Sequence, residues 1–122
     1  MRAAHAILYV RDQAASTAFY ARALGVAPTL DVPGMTELPL TPGAVLGLMP
    51  EAGIARLLGV SPPAGSGRAE LYLVVDDPGA AHARAIAAGA RELSPLQPRG
   101  WGHEAAYCLD PDGHVLAFAR PL

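Results

Sequence analysis

The chain has 122 residues, enough for one domain with its own core and no covalent staples. With 52% hydrophobic and 16% charged residues it is not a disordered chain, and no apolar run approaches the roughly 20 residues of a membrane span. A net charge of −2 leaves no basic footprint for a nucleic-acid backbone, and a single cysteine, Cys108, excludes an internal disulfide or a cysteine-based zinc cluster. Residues 1–10 lack a signal-peptide layout, which points to the cytoplasm. All nine basic residues are Arg, so no lysine is available for a Schiff base.

Residues 3–11 (AAHAILYVR) are apolar and β-prone and predict a first strand. Asp12 is a good N-cap for the helix that follows, and Gly25 stands where a closing glycine would. Residues 27–32, 35–40 and 44–49 predict three short strands, separated by Pro33-Gly34 and by Thr41-Pro42-Gly43. Residues 50–67 predict a loop with one helical turn near 54–58 and a flexible linker. Residues 69–75 (AELYLVV) predict a strong strand, and Asp77-Pro78 starts a second helix that runs to Gly89. Residues 91–96, 102–109 and 114–120 predict three further strands, the last two joined by a tight Asp110-Pro111-Asp112-Gly113 turn.

The order is β-α-β-β-β twice. An offset of 65 residues matches His5 with Glu70, Val10 with Val75 and Asp12 with Asp77. Two such modules, about 1–50 and 68–122 with a linker at 51–67, should share a common concave face within one domain.

In HAILYVRDQAASTAFYARALG, ELYLVVDDPGAAHARAIAAGA and WGHEAAYCLDPDGHVLAFAR the chain resembles the vicinal oxygen chelate superfamily. That group includes glyoxalase I, extradiol dioxygenases, fosfomycin-modifying enzymes and bleomycin-binding resistance proteins. The resemblance implies an α+β fold in which two βαβββ modules form a curved, barrel-like mixed sheet with helices outside, assembled as a homodimer. The high hydrophobic content fits a buried interface. The fold hosts many chemistries, so it does not by itself fix a function.

The resemblance also implies four metal-ligand positions, which fall on His5, Gly47, Glu70 and Ala117. Glycine and alanine offer no donor atom, whereas a catalytic metal wants about three protein ligands. We therefore expect no metal and no cofactor. In character the chain is closest to the metal-free antibiotic-binding members.

Strand alternation puts the neighbours of those positions at ±2 on the same face. The candidate ligand-binding residues are His5, Tyr9, Gly47, Met49, Glu70, Tyr72 and Ala117. Tyr107 and His103 join them, because in related enzymes an aromatic three residues before the turn Asp faces the site. Gly47 and Ala117 should give the cup room. Trp101, the only tryptophan, lies between glycines and predicts an exposed stacking platform; a Trp-Gly is common there in the bleomycin-binding branch. Arg99 reads as a solvated charge, His82 and His114 as surface residues, and Cys108 as a core residue facing the helices.

No nucleophile motif or phosphate cradle is present. The expected function is non-catalytic binding of a small hydrophobic aromatic natural product, such as an antibiotic, for self-resistance or carriage during biosynthesis. The expected partners are that ligand and a second copy of the chain, with no nucleic acid and no membrane. The rival reading is a glyoxalase-like lyase, isomerase or dioxygenase using His5 and Glu70, with or without a metal.

Overall fold

The computed structural model of the protein describes residues 3–58 and 69–122. The chain divides into two compact units, Met1–Ala21 with Gly25–Ala64, and Arg22–Leu24 with Gly65–Leu122. The strands form two four-stranded mixed sheets, one for each half of the sequence repeat.

The first half runs β1 (Ala4–Val10), α1 (Gln13–Leu24), β2 (Leu30–Val32), β3 (Met35–Thr41), β4 (Ala44–Pro50) and α2 (Glu51–Leu58). Asp12 caps α1: its carboxylate accepts from the Ala15 N–H at 3.0 Å. The helix closes at Gly25, whose φ of +66° suits a residue without Cβ. The sheet order is β1-β4-β3-β2, with β1 parallel to β4 and the remaining pairs antiparallel. The buried Thr36 on β3 fixes which face α1 covers. It is hydrogen-bonded by the Gln13 amide at 2.9 Å and the Thr17 hydroxyl at 2.9 Å. By strand alternation the same face presents Leu38, Leu46 and Leu48, all fully buried, and Phe19, Tyr20 and Ala23 of α1 are buried too.

The second half runs β5 (Glu70–Val74), α3 (Pro78–Ala87), β6 (Arg91–Pro98), β7 (His103–Leu109) and β8 (Val115–Pro121), in sheet order β5-β8-β7-β6. Asp77 repeats the role of Asp12, accepting from the Ala80 N–H at 3.0 Å, with Pro78 in the first turn. Helix α3 packs on β6, β7 and β8. The core here holds Ala106, Cys108, Leu116 and Phe118 from the sheet, with Ala81, His82 and Ala85 from the helix.

The register makes the repeat concrete. His5 pairs with Val45 and Ile7 with Gly47 in the first sheet; Glu70 pairs with Val115 and Tyr72 with Ala117 in the second. Gly47 and Ala117 therefore hold equivalent places in the two registers, as the family resemblance implies.

Three local expectations change. Residues 51–58 form a two-turn helix rather than a loop with one turn, because Glu51 to Leu58 continue directly from β4 without a breaker beyond Gly53. Strand β2 begins at Leu30, not Ala27. His82 is not a surface residue: it is 7% exposed, and its Nε2 meets the Glu92 carboxylate at 2.9 Å. The remainder of the expected linker, residues 59–67, lies outside the described residues. Among the described residues, no helix is long and apolar enough to cross a membrane.

Candidate functional site

The face of the second sheet opposite α3 carries an aromatic cluster. Strand alternation puts Glu70, Tyr72 and Val74 of β5 on this face, with Ala117 and Ala119 of β8 and His103, Ala105 and Tyr107 of β7. Ala117 lies between Tyr72 and Tyr107 in the register, and Ala119 between Val74 and Ala105. Ala105, Ala117 and Ala119 are fully buried, so three small side chains form the floor between larger ones.

Three of the predicted residues are joined by hydrogen bonds. The Trp101 indole N–H donates to the Tyr72 hydroxyl at 3.0 Å, and that hydroxyl lies 2.8 Å from His103 Nδ1. The Tyr72 and His103 rings stack with centroids 5.9 Å apart. Trp101 itself remains 58% exposed. Its ring is thus tied by its polar edge while much of its surface stays in solvent, as the expected platform requires.

Arg99 is not the solvated charge that the sequence suggests. Its guanidinium donates to the Ala105 carbonyl through Nε at 3.2 Å and Nη2 at 2.8 Å, and Nη2 also meets Ser94 Oγ and the Pro95 carbonyl. It also sits 5.0 Å from the Tyr107 ring centre, a cation–π contact. Arg99 binds β6 to β7 across the irregular register of that pair. Burial raises the Tyr107 pKa, the negative charge of Glu70 and then Tyr72 add to this, and Arg99 opposes them. The Tyr107 hydroxyl stays protonated at neutral pH.

In the first sheet, Tyr9 and Met49 are half-buried register partners, and His5 is exposed beside Val45. Gly47 is buried, but it opens no room. A Cβ there would collide with Ile7 Cδ1 and lie 3.3 Å from Met35 Sδ. The absent side chain has been replaced by the neighbouring isoleucine. Glu37, the register partner of Gly47 on β3, shares this face. Sequence reasoning missed it because MTELPLT places apolar residues on both faces of the strand, which hides the period of two.

The 110–114 turn gathers three further polar groups. One ligand atom from each of Asp110, Asp112 and His114 lies within 4.8 Å of the others. The Asp110 carboxylate accepts from the Asp112 N–H at 2.9 Å and the His114 N–H at 2.8 Å, and its second oxygen meets His114 Nδ1 at 2.7 Å. These bonds shape the β7–β8 hairpin, so His114 belongs to a turn network rather than standing free on the surface. Cys108 faces α3 as expected; burial pushes its thiol up to about 11, which leaves it unreactive at neutral pH.

The family model of the Glyoxalase/Bleomycin resistance protein/Dioxygenase superfamily matches residues 2–118. The chain belongs to this superfamily. Among solved structures it is similar to a glyoxalase-related enzyme from Fulvimarina pelagi (28% identity, TM-score 0.86, 96% of this chain and 86% of that one). It is also similar to a protein of unknown function from Agrobacterium tumefaciens (26%, TM-score 0.79, 100% and 95%). A third likeness, TioX from Micromonospora sp. ML1 (22%, TM-score 0.71, 98% of each chain), bears on the fold alone. No curated protein matches the chain.

The glyoxalase-superfamily metal positions can now be tested on this chain. Only His5 and Glu70 offer donor atoms, one on β1 and the other on β5. At Gly47 a carboxylate side chain would have to displace Ile7, and Ala117 is fully buried without a donor. This donor set does not fit a metal centre drawn from those four positions.

Proposed function

We propose that the chain binds a small, flat, largely apolar aromatic molecule and does not transform it. The ligand class we favour is an aromatic natural product of the antibiotic kind, held for self-resistance or for carriage during biosynthesis. The observation that carries this reading is Trp101: a large ring anchored through its N–H to Tyr72, yet mostly exposed. An exposed tryptophan costs hydration free energy, and a stacked ligand recovers it at about 1–3 kcal/mol per ring contact. Tyr72, Tyr107 and His103 extend the aromatic surface above an alanine floor. Glu70 stands on the same face of the second sheet; Tyr9, Met49 and His5 share one face of the first sheet.

Membership of a superfamily that includes resistance proteins supports the reading, as do the two ligand positions that carry no donor. A second reading, a glyoxalase-like lyase or isomerase, is favoured by one observation: the 28% identical neighbour is named a glyoxalase-related enzyme. On that reading His5 and Glu70, or the hydrogen-bonded Tyr72 and His103, would move a proton.

Titration with a planar probe such as 2-acetylnaphthalene tests the proposal, because the single tryptophan reports directly. The expected result is saturable quenching of Trp101, unchanged by chelator. An absence of saturable change, or its loss on adding EDTA, would overturn the reading. We further propose a homodimer, supported by the 52% hydrophobic content and by exposed Leu30 and Val32 on β2 and Leu93 on β6. Sedimentation should give twice 12.6 kDa; a pure monomer at micromolar concentration would refute it.

A further inference from the structure

Donor and acceptor chemistry in the aromatic cluster assigns a role to His103. An indole N–H can only donate, so the Trp101–Tyr72 bond makes the tyrosine oxygen an acceptor. The hydroxyl then has one proton to give, and His103 Nδ1 is 2.8 Å away. If Tyr72 donates to Nδ1, every group in the chain Trp101 to Tyr72 to His103 is used once. If instead Nδ1–H donates to Tyr72, the tyrosine oxygen accepts twice and its own proton has no acceptor among the described residues. The first arrangement satisfies one more group, and it requires that neutral His103 carry its proton on Nε2.

That Nε2 has no hydrogen-bond partner among the described residues. The buried side-chain polar atom that lacks a partner among those residues is His82 Nδ1, not an atom of His103, so His103 Nε2 keeps solvent contact. The cluster therefore presents one oriented, unengaged N–H beside an exposed aromatic ring. A stacked ligand that covered this donor without offering an acceptor would leave it desolvated and unpaired, which is costly.

Resting on the binding reading above, we infer that His103 is a specificity residue, selecting planar aromatic ligands that bear a carbonyl-type oxygen acceptor. Tyr72 is the positioning residue that fixes its tautomer. Trp101 supplies the stacking surface, and His103 distinguishes among molecules that stack equally well. The arrangement discriminates against pure hydrocarbons of the same shape.

The experiment compares two probes of matched shape, 2-acetylnaphthalene and 2-isopropenylnaphthalene, which differ by an oxygen in place of a methylene group. Both should quench Trp101 in the full chain, with the ketone binding about three- to tenfold more tightly, the worth of one neutral hydrogen bond. His103→Phe should bind the two probes with equal affinity. Independently, nitrogen NMR of the unliganded protein at pH 8 should show His103 protonated on Nε2, and Tyr72→Phe should move it toward a tautomer mixture. Equal affinities for the two probes, a preference that survives His103→Phe, or a proton on Nδ1 in the wild type would each overturn the inference while leaving the binding reading intact. Quenching by neither probe would refute both.

Discussion

Ile7 and Tyr72 occupy the same place in the two halves of the repeat, and they have taken opposite paths. Each stands in register with a small residue, Gly47 or Ala117. In the first sheet the isoleucine folds onto the glycine and fills its position. In the second the tyrosine extends its hydroxyl across the alanine floor to His103 and Trp101. The next residue in each row differs just as sharply: Glu37 stands beside Gly47 and Tyr107 beside Ala117. The helix-facing sides diverge in the reverse sense. There the first sheet buries the polar Thr36 with its hydrogen-bond partners, where the second has Ala106. One duplicated scaffold thus carries a half in which an aliphatic side chain fills the small residue's place and a half in which polar aromatics span it.

The largest expected effect lies in the hairpins that join the last two strands of each sheet. Asp110 organises the second turn by accepting from the Asp112 and His114 N–H groups and meeting His114 Nδ1. Asp110→Ala should cost about 2–4 kcal/mol in chemical denaturation, because several charge-assisted bonds disappear at once. The equivalent turn at Thr41-Pro42-Gly43 shares the left-handed glycine, Gly43 at φ +83° against Gly113 at +88°, but has no aspartate at the place of Asp110. If Asp110→Ala were neutral, the account of the second hairpin would fail.

Gly47 breaks the symmetry in a second way. Gly47→Ala should destabilise the protein by about 1 kcal/mol, because the atom it meets is the end of the Ile7 side chain, which is 37% exposed and can turn aside. The double variant with Ile7→Ala should recover part of this loss, a non-additivity measurable in a double-mutant cycle. Strict additivity would mean that Ile7 does not occupy the glycine's space.

A smaller effect sharpens the contrast on the helix-facing side, where Leu38 of the first sheet corresponds to Cys108 of the second. The Cys108 thiol is held protonated, its pKa raised from 9.0 to about 11, chiefly by burial. A folded-state pKa above the unfolded one adds stability that is complete below pH 9 and is lost as the pH climbs toward 11. The unfolding free energy should therefore fall across that window by on the order of 1 kcal/mol, and the slope should flatten in Cys108→Ala. Tyr107, shifted in the same direction, contributes a residual slope. An unchanged pH profile in the variant would show that the thiol is not desolvated.

The sequence made the scaffold legible because its signals are local. Asp12 and Asp77 as caps, Gly25 as a stop and the DPDG turn each act within a few residues. The offset between His5 and Glu70 then matched β1 with β5, the strands that hold the same place in the two sheets. What escaped was tertiary. A glycine in a strand reads as free volume until a neighbouring side chain is seen to fill it, as Ile7 does. His82 looks like an exposed helix residue, since only the packing of α3 on β6 reveals Glu92 beside it. Arg99 reads as a surface charge because its acceptors are backbone carbonyls, which carry no sequence signal. Tyr72 was legible as an aromatic on the strand face it shares with Glu70, and Trp101 as an exposed ring, but their hydrogen bond was not.

The central claim is that the second half binds and that the first half's histidine does no chemistry. Calorimetric titration of 2-acetylnaphthalene into wild type, Trp101→Ala and His5→Ala tests it most directly. Trp101→Ala should weaken binding about 5- to 100-fold, or roughly 1–3 kcal/mol at 1.4 kcal/mol per decade, and His5→Ala should have a far smaller effect. The reverse order, with His5 dominant and Trp101 indifferent, would contradict the account and identify the chain as an enzyme.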